Sequence, residues 1–201
     1  MIILSIEKSK KHLTAVQFPD ETVLLDNDTV AVFGLQEGDH ISDDRLQELT
    51  DDSARRRAKE KALWLLSFRD YPQKELKDRL RRDFGADIAA QTAETLADAG
   101  IISDRRYAEN AAEQMITFKG YSKNRARQEL YLKGIDRELI AEILDNIETD
   151  ETAAIAALIQ KKYADDLDDE KGRRRVFAAM ARRGYGFDDI KAAIRQLTMD
   201  D

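Results

Sequence analysis

The sequence predicts a mainly α-helical protein: three tandem three-helix repeats, helix-turn-helix-like, in an elongated curved array behind a small β-rich N-terminal module. Three observations carry this expectation. The phrase "SFRDYPQKELKDRL" at 67–80 returns as "TFKGYSKNRARQEL" at 117–130, so that Phe68 and Phe118, Tyr71 and Tyr121, and Leu80 and Leu130 are each fifty residues apart. Charged residues reach 36% with only 9 Gly and 2 Pro, a mixture that favours long solvated helices over loops or disorder. Strand-like alternation fills the first fifty residues and stops after Asp52.

The β-rich module is expected over 1–52. "IILSIE", "HLTAVQF", "TVLLD" and "TVAVF" are short β-branched runs, divided by the turn material "KSKK", "PDE" and "DND". They predict a small antiparallel sheet or open barrel. Ser42 is a candidate N-cap for a short helix within "GLQEGDHISDDRLQEL".

The first repeat is expected over 53–101. Ser53 can cap a helix whose Ala58, Ala62, Leu65 and Leu66 form an apolar stripe beside Trp64 and Phe68. Tyr71-Pro72 starts a second helix with Leu76 and Leu80, which Gly85 ends, and Asp87 opens a third that closes at Gly100. The second repeat, 102–148, has Ser103, Ser122 and Asp136 as N-caps and Gly134 as a stop. The third, 149–201, runs through "TDETAAIAALIQKKYA" and "DDEKGRRRVFAAMARR", is punctuated by Gly184, and ends in "GFDDIKAAIRQL".

The third helices share one apolar pattern. Ile88-Ala89, Thr92-Ala93 and Leu96 answer to Leu139-Ile140, Ile143-Leu144 and Ile147, and these to Ile190, Ala193-Ile194 and Leu197. Units this small bury little surface alone, so stacking of neighbours is expected.

Composition narrows the function. With no cysteine there is no disulfide, thiolate metal site or cysteine nucleophile. The only histidines, His12 and His40, make a poor zinc set. "FGLQEG" lacks the Gly-Lys-Ser/Thr ending of a phosphate loop, and the paired acids suit helix caps and solvated loops. Neither catalysis nor a cofactor is expected. No apolar run approaches a membrane span and no secretory leader is recognisable, so a cytoplasmic, monomeric protein with no membrane contact is expected.

The net charge of −7 conceals an asymmetry. Residues 1–52 carry 12 acidic and 4 basic side chains, leaving 28 and 29 for the remainder. The N-terminal module is therefore expected to pack on the first repeat or touch a partner protein rather than DNA. Basic residues gather on the second helices. They are Lys74, Lys77, Arg81 and Arg82, with Arg79, in the first repeat, and Lys123, Arg125, Arg127 and Lys133, with Lys119 in the preceding turn, in the second. The third repeat has Lys171, Arg173, Arg174, Arg175, Arg182 and Arg183, and the first helix of the first repeat adds Arg55, Arg56, Arg57, Lys59 and Lys61. A single cluster of this kind is an ordinary solvated face. Recurrence on one helix of each repeat suits a phosphate backbone or an acidic protein groove. Tyr71, Tyr121 and Tyr185, at turns, read as structural and offer no stacking platform.

"LADAGIISDRRYAENAAEQMITFKGYSKNRARQELYLKGID" resembles the central motif of the RecX regulatory proteins. Leu96, Gly100, Ile101, Ile102, Asp104, Tyr107 and Ala108 fill its first part. Lys119, Gly120, Arg125, Glu129, Leu130, Lys133, Gly134 and Ile135 fill its second. "YPQKELKDRL" and "RRRVFAAMARRGYGFDDI" resemble the first and third repeats, so the likeness runs from about Arg57 to the end. "RRDFGAD" replaces a usual Lys-Gly turn, and Ser103 stands where an acid is common. The resemblance implies a non-enzymatic modulator, mainly an inhibitor, of the RecA recombinase that lodges in the groove of the RecA–DNA filament. It would thereby regulate recombination, DNA repair and the SOS response, with single- and double-stranded DNA as further candidate contacts. The alternatives are a free-standing tandem helix-turn-helix DNA binder and a helical scaffold without nucleic acid.

Overall fold

A computed structural model describes residues 1–10 and 12–199. The chain divides into two compact units, 1–102 and 103–201.

The first unit opens with a three-stranded antiparallel sheet in the order β1 (Ser5–Lys10), β2 (Leu13–Gln17), β3 (Thr22–Asp26). Residues Lys8 to Lys10, expected in a turn, extend β1; Lys11, from the same expected turn, lies outside the described residues. "TVAVF" is not the fourth strand its alternation suggested. It falls in a short helix, α1 (Asn27–Val32), closed by Phe33. Asp26 ends β3 and caps this helix, its carboxylate accepting from Asp28 N at 3.0 Å. Helical spacing turns Val30 and Phe33 to the local core and leaves Val32 exposed, which a strand would not do.

Ser42 is the N-cap of α2, as the sequence suggests, but the helix is not short: it runs over Asp43–Leu66. Ser53 therefore caps nothing. It is buried within α2, and its hydroxyl accepts from Asp26 N at 2.7 Å, while Thr29 Oγ1 donates to Asp52 at 2.8 Å. Leu49 of α2 sits in the N-terminal core with Ile3, Val16, Phe18, Leu25 and Ile41. The β-rich module and the first repeat are thus joined through one continuous helix.

The next helix, α3 (Gln73–Asp98), is interrupted at Gly85, where φ 79° and ψ 174° leave helical space. A non-glycine residue adopts this backbone only under strain. The two limbs of α3 pack with the C-terminal half of α2 around Ala62, Leu65, Tyr71, Leu76, Leu80, Ala89 and Leu96.

The second unit carries two further repeats. Ser103 caps α4 (Asp104–Glu113), which passes into a π-helical turn at Gln114–Phe118. Ser122 caps α5 (Lys123–Leu132), and Asp136 caps α6 (Arg137–Asp145). Their core is Ala108, Ala112, Met115, Ala126, Leu130, Ile135, Ile140, Ile143 and Leu144. Asp150 caps α7 (Glu151–Tyr163) and Asp169 caps α8 (Glu170–Arg182). With α9 (Phe187–Met199) these bury Ile155, Ile159, Val176, Met180, Ile190 and Ala193. The observed architecture is therefore three tandem three-helix repeats, each with its own core, behind a small sheet.

Candidate filament- and nucleic-acid-binding surface

The second helices of the first and third repeats present one apolar and one basic face, and that of the second repeat carries its cations on several sides. In the first limb of α3, Leu76 and Leu80 are buried while Lys74, Lys77 and Arg81 recur at three- and four-residue spacing on the solvent side, beside Arg82. In α8, Gly172, Val176, Ala179 and Met180 face inward. Lys171, Arg174, Arg175 and Arg182 share the outer face, and Arg173 is exposed on the other side of the helix. In α5, Lys123 stands three and seven residues before the buried Ala126 and Leu130 and is half-buried beside them, Arg127 is exposed, and the most outward positions are Asn124, Gln128, Tyr131 and Leu132.

The cations differ in how far they are neutralised. Arg174 pairs with Glu170 and Arg175 with Asp166. The hydrogen bond to Asp166, reinforced by its charge, raises the Arg175 pKa. Arg127 donates to Asn124 at 2.8 Å, and Arg79 lies 3.9 Å from Glu75. Lys74, Lys77, Arg81, Arg82, Lys123, Lys171, Arg173 and Arg182 have no ion pair among the described residues. An unpaired surface cation keeps its full charge available to an incoming anion, which a paired one does not.

Three of the predicted cations are placed differently. Arg125 lies two residues from Lys123, on another side of α5, and faces the joint with the third repeat. It pairs with Glu129 at 2.6 Å, and Cβ of Arg125 is 2.7 Å from where a Cβ on Gly184 would stand. Arg183 ends α8 half-buried, donating to Ala179 O at 3.1 Å. Lys119 sits in the turn with its ammonium 6.0 Å from the Tyr121 ring centroid.

The joint between the second and third repeats is built around Ser122, which is 1% exposed. Its hydroxyl donates to Gly184 O at 2.7 Å and accepts from Arg125 N, while its own N–H donates to Arg183 O at 3.0 Å. Gly184, at φ 89°, has no room for a side chain between Ser122 and Arg125. Much of the central motif is thus scaffold: Ala108, Leu130 and Ile135 are core, Arg125–Glu129 is an ion pair, and Gly134 stops a helix.

Sequence reasoning set Trp64 and Phe68 beside the apolar stripe of α2. In the structure Ala58, Ala62 and Leu65 are buried, whereas Trp64 and Phe68 are 58% and 69% exposed. The signal was present. Trp64 stands seven, four and three residues after Arg57, Glu60 and Lys61, which places it on their face. His12 and His40 are exposed, and Tyr71 and Tyr185 are buried, as structural turn residues would be. Among the described residues no cluster of His, Asp or Glu could hold a metal ion, and no helix is long and apolar enough to cross a membrane.

Tandem three-helix units, each with its own core, define an α-helical repeat protein. Comparison with known proteins identifies which one. Residues 58–96, 103–144 and 148–194 match the first, second and third three-helix domains of RecX, together more than half of the chain. The regulatory protein RecX of Streptococcus sanguinis is 28% identical over 204 residues, spanning 100% of this chain and 79% of the relative. That of Clostridioides difficile is 27% identical, spanning 98% and 95%. A crystal structure of regulatory protein RecX superposes with a TM-score of 0.69 at 16% identity, over 96% of this chain and 98% of that one. The structure of RecX from Lactobacillus salivarius gives 0.61 at 24% identity, over 73% and 97%. The chain belongs to the RecX family of regulatory proteins.

Proposed function

We propose that the chain is a modulator, mainly an inhibitor, of RecA that binds in the groove of the RecA–DNA filament. It would thereby regulate recombination, DNA repair and the SOS response. The observation that carries this reading is the recurrence of unpaired cations on the second helix of every repeat, in a chain of the RecX family. Several modest contacts from one chain bind a polymeric partner more tightly than any one contact would, because later contacts form at high effective concentration. The proposed contact residues are the unpaired cations above, with Lys119, Arg127, Lys133, Arg174 and Arg175 at the margins. Arg125 and Arg183 act mainly by holding the joint.

The same cations would also suit a free-standing DNA binder, and salt dependence separates the two. A bare phosphate backbone releases counterions on binding, so affinity falls steeply with salt. Protein contacts to the filament add affinity without that dependence. Labelled protein titrated against RecA-coated and bare single strands at several salt concentrations should bind the coated strand more tightly and with the shallower salt slope. Equal affinities and equal slopes would replace the filament with DNA itself as the ligand.

A further inference from the structure

One face of α2 belongs neither to a core nor to the second-helix cations. Arg57, Glu60, Lys61 and Trp64 share it at helical spacing, and Trp64 meets Phe68 edge-on with ring centroids 4.9 Å apart. The face borders a cleft in the first unit, closed on its other sides by Lys10, His12 and Leu13 of the β1–β2 hairpin and by Phe84 at the end of the first limb of α3. The lining is mostly apolar, yet its rim is charged. Glu60 Oε1 lies 3.5 Å from His12 Nε2, an ion pair only with the imidazole protonated, and Asp83 engages Lys61. Lys10 has no ion partner among the described residues, and the Arg57 guanidinium lies 5.8 Å from the Phe84 ring centroid. The Asp83 carboxylate is thus engaged by Lys61, and Lys10 and Arg57 outnumber the one remaining carboxylate, Glu60.

An indole more than half exposed and braced by a second exposed aromatic is costly in water, and contiguous surface of this kind marks a contact site. Aromatic walls with unpaired cations around them suit a nucleotide whose base has left its stack. The base gains a π-face, and the adjoining phosphates gain counter-charges. We propose that this cleft binds single-stranded nucleic acid by stacking one unpaired base on Trp64, with the flanking phosphates held by Lys10 and Arg57. The site would distinguish single strands from duplex, which phosphate-directed cations alone do not. It also gives the hairpin of the otherwise acidic N-terminal module a direct part in nucleic-acid contact. The inference stands apart from the reading of the chain as a filament regulator.

Trp64 is the only tryptophan, so fluorescence excited selectively at tryptophan, beyond the absorption of the 6 tyrosines, reports this cleft alone. The full chain, without RecA, is titrated with an oligothymidylate of about a dozen nucleotides and with an abasic strand of equal length. The oligothymidylate should quench Trp64 saturably, and the abasic strand should bind more weakly without quenching. By anisotropy of a labelled strand, Trp64→Ala should weaken binding by about tenfold, the loss expected for one stacked base, and Trp64→Phe should retain most of the affinity. Circular dichroism of both variants should match the parent, because the side chain is exposed. No quenching, equal binding of the abasic strand, or unchanged affinity of Trp64→Ala would overturn the proposal. So would quenching by RecA alone with none by the oligothymidylate, which would make Trp64 an anchor for protein.

Discussion

Ser122→Ala tests the joint between the second and third repeats. The hydroxyl makes two bonds that differ in kind: it caps α5 by accepting from Arg125 N at 3.2 Å, and it donates to Gly184 O at 2.7 Å across the joint. Loss of a serine cap costs about 1 kcal/mol. Leaving a buried carbonyl without its donor costs a further ~1–2 kcal/mol. Ser122→Ala should therefore destabilise the chain by about 2–3 kcal/mol. Ser103 is the internal control. It caps α4 in the same way, accepting from Arg106 N at 3.2 Å, and among the described residues has no side-chain bond to another repeat. Ser103→Ala should cost only about 1 kcal/mol. Both are read from urea titrations followed by helical circular dichroism, as the shift in midpoint at constant slope. Equal destabilisation by the two would show that the bond to Gly184 contributes nothing.

Two further outcomes follow from the charges. Lys74→Glu with Lys77→Glu reverses charge on the outer face of the first limb of α3 while leaving the buried Leu76 and Leu80 intact; binding to RecA-coated strands should weaken about tenfold with helicity retained, and unchanged binding would make this face merely solvated. Arg105 donates bidentately to Glu142 at 2.8 Å through each nitrogen, tying α4 to α6, and this hydrogen bonding holds the Glu142 carboxyl below the usual carboxylate range. A carboxylate with a depressed folded pKa contributes stability above its unfolded pKa and loses it as pH falls through the folded one. Arg105→Ala should thus be less stable than the parent at neutral pH, and the gap should close in acid; a gap independent of pH would exclude this pair as its source.

The repeats were legible because their punctuation is local. Ser103, Ser122 and Asp136 announce helix starts from their own side-chain chemistry, and Gly85, Gly100, Gly134 and Gly184 announce stops or breaks. The errors arose where a tertiary partner decides. Ser53 looks like a cap in isolation, but its hydroxyl answers the backbone of Asp26, twenty-seven residues earlier, and α2 runs through it. "TVAVF" alternates like a strand, yet the Asp26 cap and the Thr29–Asp52 bond settle a helix. On the basic surface, counting charges found the cations. It did not separate Arg125, turned to the joint, from the exposed Arg127, because that distinction depends on where the third repeat packs.

Aligned at their fifty-residue offset, the repeats agree in packing but not in charge. Leu76, Ala126 and Val176 occupy one position and Leu80, Leu130 and Met180 another, and all six are buried. The basic positions drift: Lys74 answers to Asn124 and Arg174, Lys77 to Arg127 and Phe177, Arg82 to Leu132 and Arg182. The two kinds of interaction have different ranges. A core contact is felt over a fraction of an ångström, so an apolar side chain must stand at a fixed place. A surface charge acts over a screening length of about 8–10 Å at ordinary salt. Neighbouring side chains on a helix are only about 5–6 Å apart, so a cation moved by one turn leaves much of the field outside the helix in place. Drift in the basic positions is thus compatible with one electrostatic surface per repeat. It argues against a side-chain-by-base code on these helices, since such a code would require fixed positions. Under the proposed filament function, any preference among nucleic acids would come from elsewhere, either from the protein component of the filament or from a site with shape, such as the cleft proposed at Trp64.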